Sequence, residues 1–459
     1  MLIVFALCGA YAVYCLATNP AGAITTPDSF HYLNMTPIVP LGYPLFLKLT
    51  GARAAIIVQP IIFSAALAFL GREIVRATRS TGLAASIVFG SMIVPQIRGY
   101  HASILSESLF LTLLVIFLAL AVRFLHQPTW RLMIVVAIAV GVAATVRRTG
   151  FAFVPVMLVM ALLQRSSGAR YAQLFLAALA PFAVIAATEQ VLAPIIHDGA
   201  ASSLLGRHMF AKAALIDASK ADPGNPAEDK AEDPVLRALD DQLEHAFAPV
   251  RRMLAEAPGN VRGVLTIYYE TCLQGGCADQ ARAATGEPNE ARQTEVMGAA
   301  GIARIRRAPL NFLQLTWRHY SSLWTYDRLR HPQTAADLNA FLATHRPLPY
   351  EELAMSLGPD RSLEFSGSQN VRYAQYGLFA IALITGTLAV LGGVAAISSV
   401  RLPPAFGVAC VAALTLHGGL ILTALLAAGF TRFLLGLWPA AVTALAFGGF
   451  ATAKLKIKN

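Results

Sequence analysis

The stretch "LSESLFLTLLVIFLALAVRF", residues 105–124, carries charge only at Glu107 and Arg123, near its two ends. A helix needs about 20 mostly apolar residues to cross the hydrocarbon core of a bilayer. A helix also satisfies its own backbone hydrogen bonds where no water is present. The stretch therefore predicts a membrane-spanning helix with one acidic side chain at its start.

The rest of the chain has the same character. Its 459 residues are 56% hydrophobic and only 14% charged, which is too apolar for an ordinary soluble domain. We predict an all-α polytopic membrane protein of about ten transmembrane helices. The short fifth and sixth segments flank Arg147 and Arg148, so they are either two spans or a pair that does not cross fully. The ten segments are 2–18, 54–70, 81–96, 105–124, 132–146, 151–163, 171–193, 374–396, 404–427 and 434–452.

Hydropathy falls between Pro194 and Tyr373, where acidic, proline and glycine residues become frequent. Loops elsewhere are short, so this block predicts an external, mainly helical cap. The expected organisation is an N-terminal transmembrane bundle with catalytic external loops (1–193), an extracytoplasmic cap (194–373), and C-terminal transmembrane helices with a basic cytoplasmic tail (374–459).

Lysine and arginine collect in the loops on one side of the predicted spans, which marks that side as cytoplasmic. Both termini are then cytoplasmic, and the loop containing residues 26–51 is external. The net charge of +10 is explained by this bias and by attraction to anionic lipid, and it does not indicate a nucleic-acid partner.

Five cysteines are present. Three of them, Cys8, Cys15 and Cys410, lie in apolar segments and are interpreted as small hydrophobic residues. Cys272 and Cys277 lie in "TCLQGGCAD", within the block placed outside the cytoplasm, where oxidation is permitted. We predict a disulfide between them, with a metal-binding pair as the alternative.

Polar groups at membrane depth are costly, so they are candidates for function. On the predicted external face lie Asp28, Glu107, Arg98, Arg148 and Arg432. Simpler roles stay open for them: Asp28 suits the N-cap of a short helix, and Glu107 suits an ion pair with Arg148 or Arg432. Neighbouring Arg147 is interpreted as an interfacial anchor.

Further polar residues follow the same external loops, and we expect them to line a substrate cavity. They are His31, Tyr32, Tyr43, Lys48 and His101. The alternative for the two histidines is a hydrogen-bonded position in the protein core or at an interface, and the alternative for Lys48 is a plain interfacial anchor.

Five stretches occur in a fixed order: "PDSFHYL", "GYPLFL", "ILSESLFLTLL", "RRTGFAFVP" and "TRFLLGLWPA". Together they resemble the bacterial polytopic glycosyltransferases of the GT-C type, relatives of protein O-mannosyltransferases and of the aminoarabinose transferase of lipid A. The resemblance covers mainly residues 1–190 and, more loosely, 400–450. The cap block shows no such resemblance.

The resemblance implies a bacterial inner-membrane enzyme whose active site faces the periplasm. It would move a sugar from a polyprenyl-phosphate donor to a hydroxyl of a glycan, lipid or protein acceptor, with inversion. Asp28 matches the catalytic loop acid and Glu107 the acid at the start of the fourth span, while Arg148, Arg432 and Arg98 are expected to bind the donor phosphate. Many relatives carry two acids or an Asp-Glu pair in the first loop, whereas here Ser29 follows Asp28. This leaves one base and puts a metal requirement in doubt, so no cofactor is certain and a divalent cation is the one candidate.

A flippase or transporter of lipid-linked sugars is the alternative function, because the same arginines would then bind phosphate without chemistry. Transporters usually show paired halves with broken helices at matching positions. No internal repeat is evident here, and the arginines gather at one face rather than at the midplane.

Overall fold

A computed structural model describes residues 1–20, 22–164, 168–197, 205–216, 290–324, 369–398, 400–426 and 434–458, with isolated positions between 237 and 286. The chain divides into two compact units. The first comprises Met1–Gly199, Ile381–Gly419 and Leu434–Asn459, and the second comprises Ala200–Ala380 and Leu420–Phe433.

Helices make up nearly all the regular structure in these described ranges. The helices up to residue 199 are α1 (Leu2–Thr18), α2 (Pro27–Leu33), α3 (Gly42–Thr50), α4 (Ala52–Thr78), α5 (Thr81–Met92), α6 (Pro95–Ala102), α7 (Ser106–His126), α8 (Trp130–Val146), a 3-10 turn (Arg148–Ala152), α9 (Phe153–Leu162) and α10 (Gly168–Ile196). After them come α11 (Leu205–Ala214), α12 (Glu290–Arg307), α13 (Pro309–Leu323), α14 (Gln369–Ile397), α15 (Pro404–Leu426) and α16 (Trp438–Lys458).

Among the described residues, five helices are long and apolar enough to cross a membrane: α4, α7, α10, α14 and α15. A sixth candidate is formed by α5 and α6, which meet at a bend of 63°. The bend precedes Pro95, and a residue before proline is disfavoured in helical conformation. Helices α1 and α8, and α9 with its preceding turn, are apolar but shorter. A helical, polytopic membrane protein is therefore supported, while the ten-span count and the cap stay predictions.

In the first unit, α7 packs against α4 and α8, and α10 packs against α8. Phe153 of α9 stacks on two rings of α7, with centroid distances of 5.6 Å to Phe110 and 5.1 Å to Phe117. Aromatic contacts of this kind add to the burial that holds helices together. These contacts fix the position of α7, and the loops at its start pack on that helix.

A side-chain hydrogen bond joins the end of α1 to α4, at a carbonyl that a proline leaves without its helical donor. Pro60 lies inside α4, so the carbonyl of Ile56, four residues earlier, loses its usual helical donor. The side-chain Nδ2 of Asn19 donates to that carbonyl at 3.0 Å. This bond fixes the chain where it leaves α1, immediately before the loop that carries Asp28.

The backbone of the turn after α8 packs directly against the backbone of α8, with no room for a side chain at Gly150. A β-carbon placed on Gly150 would lie 2.5 Å from the backbone nitrogen of Ala144 and 2.6 Å from the carbonyl carbon of Ala143. Only glycine permits such a close backbone approach. Gly150 therefore sets the position of the turn that carries the arginine pair 147–148.

The second unit is held together by a buried arginine. Arg304 of α12 is fully buried; it donates to the Asp240 carboxylate at 2.7 Å and also binds Glu244. The same guanidinium donates to the carbonyls of Ala213 at 3.0 Å and Ile216 at 2.8 Å. Buried charge is tolerated when it is paired and hydrogen-bonded in this way.

We predict that Gly150→Ala destabilises the protein by about 1–3 kcal/mol, the usual cost of forcing a methyl group into a packed site. Gly99 is the matched control because a β-carbon there meets nothing within 4 Å. Gly99→Ala should leave the protein unchanged or slightly more stable. Thermal unfolding of both variants in the same detergent tests this, and equal unfolding temperatures would contradict the proposed close approach.

Candidate functional site

The short helix α2 is fastened to the segment that precedes α7. The Ser29 hydroxyl accepts the Thr26 backbone N–H at 2.8 Å and donates to the Ile104 carbonyl at 2.9 Å. The Tyr32 and Ser106 hydroxyls are 3.0 Å apart, and Ile24 bridges to the chain beside Ser103. These bonds hold the first loop at the end of the bundle where α7 begins.

Asp28 lies in the first turn of α2, half-buried, and the N-cap is Thr26. The alternative role of Asp28 as N-cap is therefore wrong, because Thr26 has the extended backbone of a cap and bonds reciprocally with Ser29. A carboxylate in the first turn still benefits from the positive end of the helix dipole.

The position of Ser29 explains why no second acid stands there. Ser29 is 1% exposed, and its hydroxyl donates to a backbone carbonyl. An ionised carboxylate has no proton to donate and would face that carbonyl with like partial charge. A carboxylate at this position would therefore lose the hydrogen bond that joins α2 to Ile104.

Glu107 opens α7 and is 2% exposed. Its Oε1 lies 2.8 Å from Nη1 of Arg147, whose side chain is 14% exposed. The same Nη1 lies 3.4 Å from the Ser106 hydroxyl. The expected partner of Glu107 was Arg148 or Arg432, and Arg147 was interpreted as an interfacial anchor. The structure gives Arg147 the buried ion pair with Glu107, while Arg432 lies outside the described residues.

The neighbouring Arg148 pairs with a different helix. Its Nη1 donates to Oε2 of Glu189 on α10 at 2.6 Å, and Glu189 is 5% exposed. The other carboxylate oxygen of Glu189 accepts the backbone N–H of Leu41 at 3.1 Å, immediately before α3. The Arg148 side chain is 49% exposed, so about half of it lies at the surface of the described structure.

The two arginines diverge because of the backbone between them. Arg147 is extended, with φ −153° and ψ 129°, and successive side chains of an extended chain point to opposite sides. One arginine thus reaches the carboxylate on α7 and the other the carboxylate on α10.

Tyr32 lies within the same electrostatic cluster. Burial, and next the negative charge of Glu107, raise its pKa to about 12, with a further contribution from Asp28. The Arg147 charge and the Ser106 hydrogen bond oppose the shift. Tyr32 therefore remains a neutral phenol. The charges of Asp28, Glu107 and Arg147 all act on its hydroxyl.

Two residues predicted to line a cavity are instead fully buried among helices. The Tyr43 hydroxyl donates to Oε1 of Gln59 at 3.1 Å, and Gln59 donates to the His101 carbonyl at 3.0 Å. The His101 ring bonds the Ser108 hydroxyl at 2.6 Å and packs 4.9 Å from the Phe63 ring. Tyr43 and His101 position the loops and do not face an open surface.

The other predicted residues lie nearer the surface. His31 Nδ1 is 3.1 Å from the Thr36 hydroxyl, and Lys48 is exposed in the last turn of α3. Arg98 lies over the Tyr14 ring and reaches its hydroxyl at 3.4 Å. Arg432, Cys272 and Cys277 lie outside the described residues.

Two site residues were missed from sequence, although a signal existed for each. Glu189 is a lone acid within the apolar segment 171–193, and Gln59 is a polar residue within the apolar segment 54–70. Polar groups inside such segments usually bind a partner or serve function. Applying that rule to every span would have found both.

No family model matches the chain, and no curated protein or solved structure is significantly similar to it. Within the described part of the chain, no group of three or more His, Cys, Asp or Glu side chains is placed to hold a metal ion. The possible divalent cation stays a prediction.

We predict that Arg147→Met costs about 3–5 kcal/mol of stability, because it leaves the carboxylate of Glu107 buried without its cation. Arg98→Met is the control, since Arg98 is half-buried and contacts a tyrosine. Chemical or thermal unfolding in one detergent compares them. A loss no larger for Arg147→Met than for Arg98→Met would show that the ion pair contributes little.

Proposed function

We propose that this protein is an inverting glycosyltransferase that moves a sugar from a polyprenyl-phosphate donor to an acceptor hydroxyl, on the external face of a bacterial inner membrane. The observation that carries the proposal is the attachment of α2 to Ile104 and Ser106. It brings the first-loop acid, Asp28, to the end of the bundle that carries Glu107, Arg147 and Arg148. The charge distribution of the loops supports the external face.

Burial assigns different roles to the three carboxylates. Glu107 and Glu189 are 2% and 5% exposed, and each forms an ion pair with an arginine, so both carboxylates are enclosed by the protein and already bound to a cation. Asp28 is half-buried on a short loop helix, so an acceptor can reach it. We therefore assign Asp28 as the general base, and Glu107 as a positioning residue for α2 rather than a catalytic one.

Arg148 is the best candidate for the donor phosphate. Its guanidinium has five N–H donors, and the Glu189 contact is formed by Nη1 alone. The donors that remain, on a side chain that is 49% exposed, suit the oxygens of a lipid phosphate. Buried Arg147 is committed to Glu107 and is a poor candidate.

The reaction follows from these two roles. Asp28 takes the proton of the acceptor hydroxyl as its oxygen forms a bond to the anomeric carbon. The bond from that carbon to the phosphate oxygen breaks on the opposite face, and its electron pair leaves with the polyprenyl phosphate. Arg148 stabilises the negative charge that develops there, by about 3–4 kcal/mol if it behaves like other oxyanion donors.

We predict that Asp28→Asn lowers transfer by about 100-fold or more, the usual contribution of a general base, while folding is unchanged. Glu73→Gln is the matched control, since Glu73 pairs with Arg76 near the far end of α4. Glycolipids and envelope glycans are compared in cells carrying wild type, either variant or no copy, normalised to folded protein.

Transfer by Asp28→Asn near the wild-type level would remove the base assignment. A wild-type protein in vesicles that moves a polyprenyl-phosphate sugar across the bilayer, without breaking its sugar–phosphate bond, would favour the flippase instead.

A second prediction concerns Glu189 as the residue that orients Arg148. Glu189→Gln keeps an acceptor for Leu41 but removes the charge that holds the guanidinium, so the donor KM should rise about tenfold while the acceptor KM stays constant. In a protein that already carries Arg148→Gln, adding Glu189→Gln should raise the donor KM little further. The effects of two residues that act through each other do not add.

The double variant, Arg148→Gln with Glu189→Gln, is also the folding control. It removes both charges of the pair, so the carboxylate of Glu189 is not left buried without its cation. Retention of polyprenyl phosphate, measured by native mass spectrometry, gives a readout without turnover. A donor effect of Glu189→Gln that persists without Arg148 would contradict the orienting role.

A further inference from the structure

A cavity of about 440 Å³ lies at the other end of the first unit, between the turn joining α7 to α8 and the start of α10. Its lining includes Thr129, Trp130, Arg131, Arg170 and Gln173. Helix α7 has 21 residues, which corresponds to about 30 Å at 1.5 Å per residue. The cavity is therefore separated from the Glu107 end by roughly the thickness of a bilayer core.

Two guanidinium groups line this cavity, and neither has a counter-charge in the described part of the chain. Arg131 lies over the Trp130 ring at 5.5 Å from its centroid, and Arg170 donates from Nη2 to the Pro128 carbonyl at 3.2 Å. Neither forms an ion pair with a carboxylate in the ranges that the structure describes. Most of their N–H donors thus remain available to a ligand.

The rest of the lining suits an amphipathic anion. Trp130 and the buried Leu174 contribute apolar surface, and Gln173 adds an amide that can donate or accept. Thr129 caps α8 by accepting the Leu132 N–H at 3.2 Å, so the cavity adjoins the positive end of that helix dipole. Tryptophan and arginine are also typical of the headgroup level of a bilayer.

We propose that this cavity binds the phosphate group of an anionic membrane lipid, in the leaflet opposite the Asp28 end of the bundle. Two arginines from α8 and α10 bind the phosphate oxygens, and Trp130 packs against the glycerol region. The site is independent of the sugar transfer proposed above. Basic pockets between membrane helices on the cytoplasmic side are known to hold such headgroups.

The test uses the full chain in nanodiscs that contain phosphatidylglycerol or phosphatidylcholine, with bound lipid counted by native mass spectrometry after release. Wild type should retain phosphatidylglycerol in preference to phosphatidylcholine. Arg131→Gln with Arg170→Gln should lower that retention at least tenfold. The control is Arg72→Gln with Arg123→Gln, which removes the same charge from two exposed arginines outside the cavity lining and should change retention less than twofold.

A third variant keeps the test valid if the double variant folds poorly. Gln173→Glu retains both arginines and places a negative charge at the exposed rim, so it should repel the lipid phosphate with no change in unfolding temperature. If the cavity variant and the control variant lose phosphatidylglycerol retention equally, the effect is a general one of interfacial charge. That result would overturn the proposal.

Inorganic phosphate distinguishes a lipid from a soluble ligand. It is titrated into delipidated protein, and we expect millimolar phosphate neither to saturate the site nor to displace phosphatidylglycerol. Displacement of the lipid by micromolar phosphate would mean that the site serves a soluble phosphate compound, and the lipid proposal would be wrong.

Discussion

The first unit depends on one electrostatic constraint, the presence of two buried carboxylates on apolar helices that both pack against α8. Glu107 on α7 and Glu189 on α10 are almost completely shielded from water. An isolated charge in such surroundings would be neutralised or would prevent folding. Two adjacent arginines supply the missing cations, one for each helix.

This constraint explains the local sequence "RRTG" at 147–150. An extended Arg147 sends successive guanidinium groups to opposite sides, and Gly150 lets the chain turn against α8. The result is an asymmetric pair: one arginine is buried and structural, the other is half-exposed. A single short stretch thereby supplies one arginine for buried support and one accessible arginine, which is the residue proposed above to bind the donor phosphate.

The sequence predicted the helical membrane architecture because hydropathy over about 20 residues is a strong signal. It also predicted that the Asp28 loop and Glu107 lie at one end of the bundle, since the spans alternate. It did not predict the pairing of Glu107 with Arg147 or of Arg148 with Glu189, because which arginine meets which carboxylate depends on the backbone direction at a single residue, which hydropathy does not encode. The alternative partner Arg432 lies outside the described residues. Ser29 was interpreted only as a missing acid, and its bond to Ile104 depends on a contact 75 residues distant in sequence.

A base for glycosyl transfer must be reached by a water-borne hydroxyl, yet it must stay fixed relative to a lipid phosphate. For Asp28, the base proposed above, this placement comes from the hydrogen bonds of Ser29 and Tyr32, which fasten the loop helix α2 to the segment leading into α7. The buried Glu107 and Glu189 are instead bound to Arg147 and Arg148, which join the start of α7 and helix α10 to the turn after α8.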